Sequence, residues 1–575
     1  MLAAKKSQSP LDTAIASAKR ILWRVGFFSF AINLLMLTSP LYMLQVYDRV
    51  LASRSSSTLF YLTLFAGACL LALAALELVR SRILVRTGSL FDGLLSGRVF
   101  DLVLSRGKNG QAFRDLDALR TFLTGASVLS LLDAPWIPFY IALVYLLHPM
   151  LGHVALAGGL ILFALGLLNE KLTRRPLAEA GGELAASTTF AELSARNAEV
   201  VRAMGMLPGL RAVWQKRHGL GLELQGVASD RAAEISAAAK FVRFFLQVAI
   251  LGVGAYLVIQ QELTAGVMIA ASIIMGRGLA PIEASIGSWR GFLMARLAFA
   301  RLQRELAGDV DAKESMSLPP PKGDLLVENL YGGPPGVSKP VISAVSFRLN
   351  AGNVLGITGP SAAGKSSLAR LIVGVWAPIS GEVRLDHASL SDWPREEVGP
   401  YIGYLPQDIE LFPGTVAENV SRFGKIDANK VVDAAKLVGA HKMILELSDG
   451  YDTVIGLGGN ELSGGQRQRI GFARAVYGMP SLIVLDEPTS NLDADGESAV
   501  RQAIDELKKH GKTIVVIAHR PAVLGGTDAL MVIQKGSIAQ FGPTSEIMPQ
   551  ITRRPVASQE DMSKSKEVML SAPNL

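Results

Sequence analysis

Six mostly apolar runs, at 22–46, 58–79, 128–147, 151–169, 241–260 and 266–289, fill the first half of the chain. Each comes close to or exceeds the roughly 20 residues with which a helix crosses a bilayer. Two of the connections, 80–127 and 171–240, are long, helical in periodicity and poor in breakers, so spans two to five are expected to continue past the bilayer as helices. Each long connection must turn at its far end. Asp101 to Asp117 and Met204 to Trp214 lie near those turns and are candidates for short helices that press on a neighbouring domain. Beyond about residue 320 the pattern changes to short apolar strands alternating with helices. The expected organisation is an N-terminal arm (1–20), a six-helix all-α transmembrane domain (21–310), a linker (311–323), an α/β domain (324–550) and a polar tail (551–575). In the linker, Leu318-Pro-Pro-Pro-Lys-Gly323 reads as a stiff spacer.

Charge orients the spans. The links at 48–57, 148–150 and 261–265 hold two, no and no Lys or Arg, whereas 80–127 holds eight and 171–240 holds ten. Cytoplasmic segments retain such residues, which places both long loops and both termini in the cytoplasm. The net charge of +7 and the mean hydropathy of +0.33 therefore fit a membrane protein, and a nucleic-acid partner is not expected. The first apolar run is long and lacks a cleavage site, so it reads as a retained span. The single cysteine, Cys69, cannot form an internal disulfide. Asp133 and Arg277 fall inside apolar runs, where an ionised group is costly, and both are candidate pathway residues or interfacial anchors. Pro135, Pro138, Pro149 and Pro281 interrupt or bound the helices.

The α/β half carries the chemistry. Asn353 to Thr358 reads as a buried strand, and Lys365 to Val373 as a helix. Between and into them run Gly359, Pro360, Ser361, Ala362, Ala363, Gly364, Lys365, Ser366 and Ser367, a phosphate-binding loop. Its backbone N–H groups and helix N-terminus hold phosphate charge; Lys365 reaches the β- and γ-phosphates, and the Ser366 hydroxyl serves Mg²⁺. A second strand, Ser481 to Leu485, ends at Asp486 and Glu487. Asp486 is placed to bind Mg²⁺ through water, and Glu487 to orient and deprotonate an attacking water.

Between these two motifs stands Leu462-Ser-Gly-Gly-Gln466. With that sequence in that position, residues 324–550 resemble the nucleotide-binding domain of the ATP-binding cassette (ABC) family. The resemblance implies that Ser463, Gly464, Gly465 and Gln466 of one copy face the phosphate loop of another, with ATP between them. It also implies that Tyr331 stacks on adenine, that Gln407 senses Mg²⁺ and the membrane domain, that Asp493 links the two sites, and that His519 contacts the γ-phosphate. One set of motifs in a chain whose site needs two implies a homodimer with twelve spans.

Six spans ahead of one cassette resemble the exporter branch of the family. Ser39-Pro-Leu-Tyr-Met-Leu-Gln-Val-Tyr-Asp-Arg-Val50, Asp133-Ala-Pro-Trp136 with His148-Pro149, and Arg277-Gly-Leu-Ala-Pro281 together resemble the permease/ATPase of bacterial type I protein secretion. That resemblance implies ATP and Mg²⁺ as cofactors and an exported polypeptide with an uncleaved C-terminal signal. It further implies a periplasmic membrane-fusion adaptor, a trimeric outer-membrane channel of TolC type, and residence in the bacterial inner membrane. The short arm, without a Cys/His pair, carries an expectation of no peptidase domain. Where many exporters hold an acidic residue before the signature, Thr453-Val-Ile-Gly-Leu-Gly-Gly459 offers Leu457. Two rivals are a lipid or drug exporter of the same architecture and a membrane regulator that binds ATP without transporting.

Overall fold

The computed structural model describes residues 10–106, 110–307, 318–337, 339–459 and 461–552, without the side chains of residues 10–13, 15, 105, 106, 126, 307, 457 and 552. Most of the expected tail, the first residues of the arm and 311–317 of the linker lie outside them. The chain divides into two compact units, Met1–Asp311 and Ala312–Leu575.

The first unit is all helix. Among the described residues, six segments are long and apolar enough to cross a membrane: Ala16–Ser53, Ser56–Leu104, Ser127–Leu147, Pro149–Arg196, Leu207–Ile259 and Ala265–Leu306. Each contains one of the six apolar runs of the sequence except where an edge slips by a residue or two. Three of the extensions are as long as the periodicity predicts, since α-helices run unbroken over Ser56–Arg106, Pro149–Arg196 and Leu207–Ile259. The sixth is also long, Ala265–Ala307, although the expectation covered only spans two to five. At the second far end a short helix forms at Ala198–Ala203, ahead of the segment Met204 to Trp214 singled out by the sequence, most of which instead opens the long helix Leu207–Ile259.

The third span departs from expectation by being segmented. Helix Gln111–Thr124 stops at Gly125, which is extended (ψ 173°), and Ala126–Asp133 begins afresh. A tight turn at Ala134–Trp136 then precedes Ile137–Leu147. Pro135 and Pro138 cause the second break, because neither ring can donate the N–H that an α-helical turn needs. Pro149 opens its helix at the first turn, where no donor is missed, while Pro281 sits inside a continuous helix.

Two polar clusters explain residues that the sequence singled out. Asp48 accepts from the Gly266 N–H at 3.0 Å and the Thr264 hydroxyl at 2.6 Å, capping the start of the sixth span. A Cβ at Gly266 would stand 2.5 Å from the Asp48 carboxylate, so glycine is required for this approach. Asp133 is held by hydrogen bonds: Arg80 donates to it at 3.1 Å and Asn33 at 3.2 Å. Arg80 also donates to the buried Ser29 hydroxyl at 3.1 Å, and the Tyr140 hydroxyl donates to the Asn33 carbonyl at 2.9 Å. The cluster ties spans one, two and three together.

The second unit is α/β. Strands are numbered β1 (Leu325–Gly332), β2 (Ile342–Leu349), β3 (Val354–Thr358), β4 (Ser380–Leu385), β5 (Ala388–Ser389), β6 (Ile402–Leu405), β7 (Gly414–Thr415), β8 (Val454–Ile455), β9 (Leu482–Asp486), β10 (Thr513–Ile517), β11 (Ala529–Gln534) and β12 (Ser537–Pro543). The main sheet has the order β12-β11-β3-β10-β9-β6, parallel except for β12; β2-β1-β4-β5 form an antiparallel sheet. Strands β3, β9 and β10 are buried at every residue, as parallel strands covered on both faces must be. The described part of the linker belongs to this unit. Asp386 accepts from the backbone N–H groups of Lys322, Gly323 and Asp324, and the Ser481 hydroxyl donates to Pro321 at 2.6 Å. Residues 318–323 are thus pinned down and do not act as a free spacer.

Candidate nucleotide site

Parallel strands deliver their C-terminal ends to one edge of a sheet, and loops leaving that edge form a site. Here β3 leads into Gly359–Ser366, β9 into Asp486 and Glu487, β10 into His519, and β6 into Gln407. Because β10 lies between β3 and β9, and β6 lies beside β9, topology alone gathers all four segments. The Glu487 N–H donates to the Ile517 carbonyl at 3.0 Å, and the Ala518 N–H to that of Ile357 at 3.1 Å, which locks the strand ends together.

The phosphate loop is shaped by backbone that ordinary side chains resist. Gly359 has φ +149°, and a Cβ there would stand 2.2 Å from the Ile533 carbonyl oxygen. Gly364, at φ +100°, is the N-cap of helix Lys365–Ile372. Lys365 folds back over the loop and donates to the Gly359 and Pro360 carbonyls, each at 3.0 Å. Burial pushes its ammonium below the ordinary lysine range, against the opposing pull of Glu487 and Asp486. The lysine is therefore held near the loop by bonds that a phosphate can replace.

Asp486 is 1% exposed, and burial raises its carboxyl above the usual range while a hydrogen bond with Ser366 lowers it. Its Oδ1 is buried and has no hydrogen-bond partner among the described residues. An orphaned carboxylate oxygen beside a serine hydroxyl is a donor set suited to a hard divalent cation, so these residues fit Mg²⁺. Such a cation would favour the ionised carboxylate that burial disfavours.

Glu487 adopts φ +52°, an uncommon conformation for a residue with a side chain. Gln407 Nε2 donates to its Oε2 at 3.3 Å, and His519 Nε2 lies 3.4 Å from its Oε1. One carboxylate is thus flanked on both oxygens, and the three residues the sequence placed far apart form one cluster. Sequence reasoning missed Gln468, which is 1% exposed and donates to the Glu487 carbonyl at 3.3 Å. Its position two residues past the signature was the available signal.

The signature forms a helix start. Ser463 caps Gly464–Val476 by accepting from the Gln466 N–H at 3.2 Å while Gln466 Oε1 accepts from the Ser463 N–H at 2.8 Å. Gly465 lies close to the chain that follows Glu487, for a Cβ there would stand 3.0 Å from the Asn491 carbonyl. Asp493 caps Ala494–Lys509 and accepts from Arg469 of the signature helix at 3.1 Å; the Gly496 N–H, then Arg469, hold its carboxyl below the usual range. Among the described residues no hydrogen bond or ion pair joins Ser463–Gln466 to Gly359–Ser367. Ser463 is exposed. Tyr331, half-buried at the end of β1, lies one residue from Gly332, whose Cβ would meet Leu371 of the phosphate-loop helix at 2.7 Å. Arg422, also absent from the sequence reading, donates to the carbonyls of Gly399, Ile402, Arg474 and Ala475 and joins β6 to the signature helix.

Six bilayer-length apolar helices joined in one chain to a phosphate-binding α/β unit define a membrane-embedded ATPase. Residues 22–277 match the ABC transporter transmembrane region, and residues 342–490 match the ABC transporter family. The type I secretion system ATP-binding protein PrsD of Rhizobium meliloti is 43% identical over 537 residues, covering 92% of each chain. The alpha-hemolysin translocation ATP-binding protein HlyB of Escherichia coli is 29% identical over 554 residues, covering 93% of this chain and 78% of the relative. A solved bacterial Atm1-family ABC exporter with ATP bound superimposes with a TM-score of 0.82 at 18% identity, covering 97% of this chain and 100% of that one, which establishes the shared fold. The chain belongs to the ABC transporter family.

Proposed function

We propose that this transporter exports a polypeptide bearing a C-terminal secretion signal, as the ABC component of a type I secretion system. The observation that carries the reading is 43% identity to a type I secretion ATP-binding protein along 92% of both chains. That likeness extends through the membrane unit, because it covers 92% of this chain. A periplasmic membrane-fusion adaptor and an outer-membrane channel complete the route. The protein is a homodimer of the bacterial inner membrane with both termini in the cytoplasm.

Each residue of the nucleotide site then has a task. Tyr331 stacks on adenine, and the N–H groups from Gly359 to Ser367 receive the phosphates. Lys365 exchanges its two carbonyl partners for phosphate oxygens. Ser366, Asp486 and Gln407 are the residues that would hold Mg²⁺, which would neutralise phosphate charge when bound. Glu487 accepts the proton of the attacking water, oriented by Gln407, and His519 donates to the γ-phosphate. Ser463 to Gln466 of the sister copy close the site, and Asp493 links one site to the other. Closure and reopening of the two cassettes drive the helices, and a few kcal/mol of differential nucleotide affinity suffices to shift that equilibrium.

The test is secretion. Deleting the gene in its native bacterium is expected to remove at least one polypeptide from the medium, with restoration by the parental gene and none by Glu487→Gln. Truncating that polypeptide at its C-terminus should block its export. An unchanged set of secreted proteins, with lost efflux of a lipid or dye, would contradict the reading.

A further inference from the structure

Some charges deep in the helical unit are neutralised by a neighbour. Arg80 pairs with Asp133, and Arg243 with Glu283. Arg277 is different. It follows the start of helix Ala265–Ala307 by 12 residues, which at about 1.5 Å per residue sets it about 18 Å along. That is well inside a hydrocarbon layer about 30 Å thick. It is exposed, and no hydrogen bond or ion pair reaches it among the described residues.

The helix that carries it is the most enclosed of the six, with 44% of its apolar window buried. It packs against Thr38–Gln45, Gln111–Thr124, Ala126–Asp133, Ile137–Leu147, Pro149–Arg196 and Leu207–Ile259. Gly278 marks one packed side, for a Cβ there would stand 2.7 Å from Tyr140 Cβ. Successive residues are turned by about 100°. Arg277 therefore leaves from a side less covered by its own chain's helices, as do the exposed Ala280 and Ala284. An unpaired guanidinium facing lipid at this depth costs at least about 2.5 kcal/mol, so this side meets water or protein.

We propose that this side of the sixth span lines an aqueous path, and that Arg277 is a fixed positive charge there which engages carboxylate side chains of the polypeptide in transit. The inference rests on the polypeptide-export reading and adds to it a preference for acidic segments. A fixed cation in a low-dielectric wall concentrates anions and repels cations. Acidic segments are drawn to the constriction, and strongly basic ones are disfavoured.

Charge-selective thiol modification tests this in the full-length protein in nanodiscs. In a Cys69→Ser background, Ala280→Cys is exposed to anionic sulfonatoethyl or cationic trimethylammonioethyl methanethiosulfonate. Leu71→Cys, 75% exposed on the second span, is the lipid-facing control. Ala280→Cys should react well above the control, and Arg277→Gln should cut the anionic-to-cationic rate ratio about tenfold, with Arg277→Lys restoring it. Polyglutamate should protect Ala280→Cys, and polylysine should not. Reactivity no greater than the control, a ratio unmoved by Arg277→Gln, or equal protection by the two peptides would overturn the proposal. The two readings separate cleanly: a failed secretion assay with an intact charge ratio removes the polypeptide, whereas normal secretion with an unchanged ratio removes the charged path.

Discussion

Glu487→Gln is expected to slow ATP hydrolysis about a thousandfold while leaving nucleotide binding intact. The carboxylate is held by Gln407 at 3.3 Å on one oxygen and stands 3.4 Å from His519 on the other. Its backbone is fixed by the bond to Ile517 and by Gln468 on its carbonyl. Glutamine has the same shape and keeps hydrogen bonding, yet it cannot take a proton from water. The loss is therefore chemical, and the phosphate loop, which Glu487 does not build, retains its affinity. Steady-state hydrolysis beside equilibrium binding of a fluorescent ATP analogue separates the two. Hydrolysis at the parental rate would remove Glu487 from the role of base; loss of binding would mean that the side chain supports the loop.

Arg80→Ala should have the largest effect on the stability of the helical unit, about 3 kcal/mol. Arg80 and Asp133 have side chains 7% and 19% exposed, and the cluster around them joins three spans. Removing the cation leaves a largely buried carboxylate with Asn33 as its remaining side-chain donor among the described residues. Replacing both residues, as in Arg80→Met with Asp133→Leu, should recover most of that loss because no unpaired charge remains. Thermal unfolding of the purified protein in nanodiscs measures both. A double variant as unstable as the single one would show that the hydrogen bonds to Ser29 and Asn33, more than the charge pair, hold the cluster.

The contrast between these two sites shows what a sequence displays. Gly359 to Ser366 and Asp486-Glu487 were readable because phosphate chemistry requires contiguous residues at the ends of buried strands. The six spans were readable because hydrocarbon demands long apolar runs. Arg80 was counted only as a cytoplasmic charge, since its partner is 53 residues away and the pairing depends on how three helices pack. For the same reason Asp133 and Arg277 read alike, as pathway candidates or interfacial anchors, and only packing shows that Asp133 has a cation beside it. The break at Gly125 and the pinning of Pro321 to Ser481 likewise arise from tertiary contacts, which local propensity does not encode. Gln468 and Arg422 act through backbone carbonyls, an interaction that leaves no residue-type signature on the partner.

The central claim is that each ATP is hydrolysed between the phosphate loop of one copy and Ser463 of the other. Mixed dimers of Lys365→Ala chains with Ser463→Arg chains test it most directly. In such a pair one site combines both defects and the other has neither. The account predicts that each variant alone is inactive and that the mixed dimer hydrolyses ATP; a silent mixed dimer, or a Ser463→Arg protein working at the parental rate, would contradict it.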